Sequence, residues 1–272
     1  MNAEQQALVQ RWDGFLSKIK ERLDEIIAEA TAGCAQIAAQ HPLDSLPLSN
    51  ALTGLDHRVR QLKERIGETW DGQVEDKFSD AGDGDFLDVG LDKKEDFETA
   101  FDHHWQNAKA KILADYAASL YPLAQEASQQ QPKCDQCGAP LQPAVIHKSE
   151  TIACPACSAQ NLYEPPLAIV AYRGTAAHYL AEAAALPKRQ AIDFFRIEVD
   201  RWRRAREWAP EPLESLEKWR AMEQDHWTTY AQEKARVLGE PVDQAYITSR
   251  MEYFDKYELH MNQVWVNAHG KG

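Results

Sequence analysis

The chain has 272 residues, enough for one large domain or two ordinary ones, and its 44% hydrophobic content can supply a packed core. A formal net charge of −13 excludes a general nucleic-acid coat and docking on anionic membranes, because both draw on Lys and Arg. Met1 to Gln10 lack a basic start followed by an apolar stretch, so no secretory signal is expected. No run approaches the roughly eighteen apolar residues that a membrane span needs.

In chain order, the first predicted element is an amphipathic helix from Leu8 to Gln40. Trp12, Phe15, Ile19, Leu23, Ile26 and Ala30 recur along it every three or four positions. His41-Pro42 ends it, since the residue before a proline is pushed out of helical geometry. A second helix starts near Ser49, with Leu52, Leu55, Val59, Leu62 and Ile66 on its inner face. Residues 71–98 then hold eleven acids against three lysines and include Gly72, Gly82, Gly84 and Gly90. This composition predicts a flexible acidic loop around a short apolar patch, Phe86-Leu87. Helix resumes near Lys93, where Phe97, Phe101, Trp105, Ala108, Ile112, Tyr116 and Leu120 keep helical spacing to about Gln129.

Gln129-Gln130-Gln131-Pro132 and Glu164-Pro165-Pro166 punctuate the chain on either side of a cysteine-bearing segment. Beyond it, Ala168, Ala171, Gly174, Ala177, Ala181 and Ala184 form a small-residue helical stretch that Pro187 is expected to interrupt. Three more helices follow at about 188–208, 212–238 and 242–267, separated by Pro210, Pro212, Gly239 and Pro241. The expected organisation is an N-terminal helical region (1–131), a small module (132–166) and a C-terminal helical region (167–272). The two helical regions are able to pack as one domain.

The module reads Cys134-Asp-Gln-Cys137-Gly138, sixteen residues, then Cys154-Pro-Ala-Cys157. Two cysteines three apart on a tight turn offer both sulfurs to one ion, and two such knuckles complete a tetrahedron. Gly138 supplies the positive φ that such a turn wants after its second cysteine. The spacer suits a hairpin: Leu141, Val145 and Ile146 as one strand, Lys148-Ser149-Glu150 as a turn and Thr151-Ile152-Ala153 as the return. Leu162-Tyr163 is a candidate third strand. So short a segment has almost no core, so ligation must supply most of its folding energy, on the order of 10 kcal/mol.

In Cys134, Cys137, Gly138, Cys154, Pro155 and Cys157 the chain resembles the zinc-ribbon family over about residues 133–163. The resemblance implies one structural zinc ion held by Cys134, Cys137, Cys154 and Cys157, while the helical spacing of the rest of the chain predicts a mainly α fold, a helical bundle with an inserted small β zinc ribbon. It does not fix the function, because ribbons serve nucleic-acid binding, protein docking and structural bracing alike. Four thiolates leave no open position for water, so catalysis at this metal is not expected. An odd cysteine count fits a reducing, cytoplasmic setting better than a disulfide framework. The fifth, Cys34, reads as a small buried hydrophobe.

Other candidates are weaker. The stretch 188–206 is basic, and Arg196, Arg201, Arg203, Arg204 and Arg206 could form an interaction face for nucleic acid or an acidic protein. The plain alternative is a solvated helix face with Arg196–Asp200–Arg204 and Arg203–Glu207 pairs, or a contact with the acidic stretch 71–98. Glu223 and His226 form a single Glu-x-x-His, read as a surface turn because di-iron bundles need two. His103 and His104 point in different directions on a helix, and His178 with Glu182 reads as an ion pair. Asp80 to Asp85 fails the calcium-loop template. Trp202, Trp208, Trp219, Trp227 and Trp265 are expected in the core between helices. The lead expectation is a non-enzymatic interaction or scaffold protein whose ribbon braces or presents a docking surface for a protein partner. The alternatives are a nucleic-acid-associated factor using the 188–206 helix, and an enzyme with an inter-helical site.

Overall fold

The structure, a computed structural model, describes residues 1–82 and 84–269. It is mainly helical: α1 (Ala3–Gln40), α2 (Leu46–Thr69), α3 (Glu75–Asp80), α4 (Gly84–Gln129), α5 (Leu167–Ala171), α6 (Ala177–Arg204), α7 (Leu213–Leu238), α8 (Gln244–Tyr257) and α9 (Gln263–His269). Between α4 and α5 lies a single antiparallel pair, β1 (Glu150–Ala153) and β2 (Gln160–Tyr163), in register Glu150↔Tyr163 to Ala153↔Gln160.

Local chemistry sets the helix starts. Asn2 and Gln5 form a reciprocal cap on α1, each side chain accepting from the other's backbone N–H. Pro47 sits in the first turn of α2, where its missing N–H costs nothing. The Asp243 side chain accepts from Tyr246 N–H at the start of α8.

The main core joins α1, α2 and α4. Trp12, Leu16, Ile19, Leu23, Ile26, Leu52, Val59, Leu62, Ile66, Trp105, Ile112 and Leu120 are all buried in it. Tyr172, Tyr179 and Leu180, from beyond the ribbon, pack against the same core. A second cluster joins Leu216, Ala231, Ile247, Met251, Phe254 and Leu259. Helix α6 packs on both α4 and α7, and Ala177, Ala181 and Ala185 are fully buried along it. Each lacks a side chain beyond Cβ, so neighbouring backbones come close.

Several expectations are corrected. Residues 71–98 are not a flexible loop: a π-helical turn (Trp70–Val74), α3 and the start of α4 occupy the described part of that span. The cause is an aromatic ladder. Ring centroids lie 5.7 Å apart for Trp12–Trp70, 5.8 Å for Trp70–Phe78 and 5.0 Å for Phe78–Phe86. Gly90 serves packing there: a Cβ on it would come within 2.7 Å of the Trp70 ring and 2.8 Å of the Phe78 ring.

Pro187 does not interrupt α6, which runs through it to Arg204. The lost backbone hydrogen bond is outweighed by packing on two sides. The C-terminal tryptophans are core only in part: Trp219, Trp227 and Trp265 pack against the second cluster. Trp208 is exposed, and Trp202, Trp219, Trp227 and Trp265 are half-buried, whereas Trp12, Trp70 and Trp105 are the buried ones. No described helix is long and apolar enough to cross a membrane.

Candidate metal centre

The four cysteines of the module converge. One sulfur from each of Cys134, Cys137, Cys154 and Cys157 falls within 4.8 Å of the other three. The Cys134–Cys157 and Cys137–Cys154 sulfur pairs are 3.6 Å apart. A tetrahedron with metal–sulfur bonds of about 2.3 Å has edges of about 3.8 Å, so the donor set fits one tetrahedral ion with small adjustments. The arrangement is zinc-ribbon-like.

Two knuckles of matching construction produce it. In the first, Cys134 N–H donates to Ala139 O at 2.8 Å and Gly138 N–H to Cys134 O at 2.8 Å. In the second, Cys154 N–H donates to Ala159 O at 2.8 Å and Ser158 N–H to Cys154 O at 2.9 Å. Gly138 has φ +74° and Ser158 φ +61°, so both turns need the left-handed region at the residue after the second cysteine. Sequence reasoning found Gly138 and missed Ser158. The signal was the repeat Cys-x-x-Cys-small-Ala, present at 134–139 and 154–159.

The expected hairpin across the spacer is corrected as well. Leu141, Val145 and Ile146 form no strand, and β1 pairs instead with β2 across the second knuckle. The first knuckle is closed by an isolated bridge between Lys133 and Pro140. Glu150 Oε1 accepts from the Ala144 and Val145 amides, and Tyr163 Oη donates to Ile146 O at 2.7 Å, which pins the spacer as a folded loop.

Electrostatics favour a cation. The Cys137 and Gln136 amides, facing its sulfur, bring the Cys134 thiol down to about 6. Cys154 is lowered in the same way by the Cys157 and Ala156 amides. The Ala159 amide lowers Cys157, but the neighbouring Cys137, Cys134 and Cys154 sulfurs, with burial, push it up to about 12. Thiolates so crowded repel one another until a cation lies between them.

The remaining candidates have internal partners. Arg204 pairs with Asp92 at 2.6 Å and Glu95 at 2.7 Å, and Arg201 with Asp96 at 2.8 Å. The start of α4 thus clasps the end of α6. Arg196 pairs with the buried Glu211 at 2.7 Å, not with Asp200, and lies over the Trp219 ring. Arg203 pairs with Asp200 and donates to Ala209 O, and Arg206 stacks over Trp202.

Glu223 and His226 are buried rather than a surface turn. Glu223 takes a bidentate contact from Arg189, and His226 Nδ1 meets Ala185 O at 3.2 Å. Burial lowers the His226 pKa, and Arg189 adds to that. His103 is buried and bonded to Asp193, and His104 turns away to Asp24. His178 is bonded to Tyr230 Oη at 2.9 Å, not to Glu182. Cys34 is buried, and burial raises its pKa, as suits an inert thiol. Asp83, part of the loop weighed for calcium, lies outside the described residues. Compared with known proteins, the chain matches no family, no curated protein and no solved structure.

Proposed function

We propose that this is a non-enzymatic interaction or scaffold protein whose four cysteines hold one structural zinc ion, the ribbon bracing or presenting a docking surface for a protein partner. The observation that carries the metal assignment is the convergence of four sulfurs within 4.8 Å on two matching knuckles. An all-thiolate donor set favours zinc over hard cations, and its closed tetrahedron leaves no water to activate. Free thiols in a metal site suit a reducing compartment such as the cytoplasm.

The docking role is supported by the position and surface of the module. It stands between α4 and α5 and exposes Leu162 and Ile146, next to the exposed Leu167 at the start of α5. Such side chains contribute affinity only when a partner covers them. The nucleic-acid alternative draws less support, because Arg201 and Arg204 are already neutralised by carboxylates of α4. The enzymatic alternative gains none from Glu223 and His226, which are bonded to Arg189 and a backbone carbonyl.

The test is elemental analysis of reduced protein. One zinc per chain is expected, lost in Cys154→Ser/Cys157→Ser with little change in helical content. Reduced wild-type protein free of stoichiometric metal overturns the reading.

A further inference from the structure

The two knuckles match in backbone, and two of the positions at which their side chains differ are linked across the site. Counting from the first cysteine of each, Asp135 corresponds to Pro155 and Leu141 to Asn161. Leu141 and Asn161 are both buried, 3% and 4% exposed, beside their respective turns. One is apolar and packs with Cys134 and Cys154. The other is the only buried side-chain amide among the described residues of the module.

The polarity of each follows from its partner across the site. Asp135 carries a backbone N–H, and Asn161 Oδ1 accepts it at 3.0 Å. Asn161 Nδ2 donates to Ala159 O at 2.9 Å, and reaches Ile152 O at 3.5 Å. One side chain therefore ties the first knuckle to the second knuckle and to β1. Pro155 has no N–H, so the equivalent position facing the second knuckle needs no acceptor, and Leu141 fills it with hydrocarbon. The bond to Asp135 N–H is part-buried, so leaving that amide against hydrocarbon in place of an acceptor would cost free energy.

Asp135 lies directly before Gln136 and Cys137, whose amides face the Cys134 sulfur. Fixing the Asp135 amide fixes the plane of that turn, and with it the direction of the donors that hold the thiolate. We propose that Asn161 is the positioning residue of the metal centre, a cross-brace that sets the two knuckles in register for one ion, and that its polarity is dictated by the N–H of Asp135. The proposal rests on the zinc reading above. It assigns no ligand role to Asn161. Partners of metal ligands typically tune affinity by about 10–100-fold.

Metal competition with a chromogenic chelator, using full-length reduced protein, provides the test. Asn161→Leu is expected to weaken zinc binding by about 10–100-fold and to alter the ligand-field bands of the Co(II)-loaded protein. The double variant Asn161→Leu/Asp135→Pro removes the orphaned donor and copies the second knuckle. It is expected to recover most of the lost affinity and the wild-type spectrum. Asp135→Pro alone, which takes away the N–H but leaves the amide side chain, is expected to fall between wild type and Asn161→Leu.

Two results overturn the brace: wild-type affinity in Asn161→Leu, or a double variant no better than that single one. The second would mean that Asn161 merely stabilises the hairpin. Wild-type protein that takes up no metal would overturn the zinc reading itself. The brace would then be judged by amide exchange at Asp135, expected to quicken in Asn161→Leu and to stay slow in the wild type.

Discussion

Residues 71–98 and 133–163 are two stretches of similar length, both glycine-bearing and short of aliphatic side chains. They reach order by opposite routes. The second places four sulfurs around one point and hangs two turns and a two-stranded pair on them. The first shows no such centre among its described residues. It is ordered from outside, by Phe78 and Phe86 stacking toward Trp70 and Trp12, and by Arg201 and Arg204 from α6 holding Asp92, Glu95 and Asp96. A local centre leaves its trace in local spacing. An order imposed by distant residues does not.

The comparison can be pressed hardest by removing the centre. Chelation under reducing conditions, or Cys154→Ser, should forfeit ribbon stability on the order of 10 kcal/mol. Hydrogen exchange should become fast throughout 133–163 while residues 71–98 keep their protection. Loss of protection in both would show that the two regions are one cooperative unit.

Removing the outside support comes next in size. Arg201→Ala/Arg204→Ala leaves Asp88, Asp92, Glu95 and Asp96 without their arginine partners and should cost about 2 kcal/mol in denaturant unfolding, a few tenths for each half-exposed pair of the network. Metal content should not move.

Gly90→Ala should destabilise by about 2 kcal/mol, since overpacking against two fixed rings exceeds the gain in helix propensity. Gly72→Ala, with nothing within 4 Å, should be neutral or mildly stabilising. Equal thermal midpoints for the two variants would remove the packing account of Gly90.

The smallest effect lies outside both regions and provides a baseline. The folded pKa of His226 sits below its ordinary 6.5 because the ring is buried, so the unfolded chain binds its proton first as pH falls. Its contribution to stability is complete above pH 6.5 and is lost as pH drops through the folded value. His226→Gln should flatten the thermal midpoint between pH 7 and about 5. An unchanged slope would show that this ring does not contribute to it.

The same contrast explains what could be read beforehand. The four ligands were legible because Cys-x-x-Cys spacing is itself the geometry, and the long helices because Trp12, Ile19, Leu23 and Ile26 repeat at the helical period. The helical acidic segment was not, because Gly90 signals flexibility unless two rings are known to lie above it. Pro187 misled for a related reason: nothing near it in the chain reveals that α6 is gripped by both α4 and α7. Within the ribbon, Thr151–Ala153 and Leu162-Tyr163 were legible as strands, but Val145-Ile146 was a false one, an apolar pair that the loop holds without any strand partner. Ser158 was hidden because its left-handed turn carries no glycine.

Helix α4 connects these two regions and is 46 residues long. At 1.5 Å per residue it is a strut of about 69 Å, with the arginine clasp near one tip and the ribbon beginning just past the other. A molecule gripping the ribbon is therefore held at arm's length from the clasp, several Debye lengths away at physiological salt. The two ends cannot sense each other's charge through solvent. Any communication between them has to travel as bending or strain along α4, or back through α5 and α6, and Pro122, close to the ribbon end, is where α4 yields most easily.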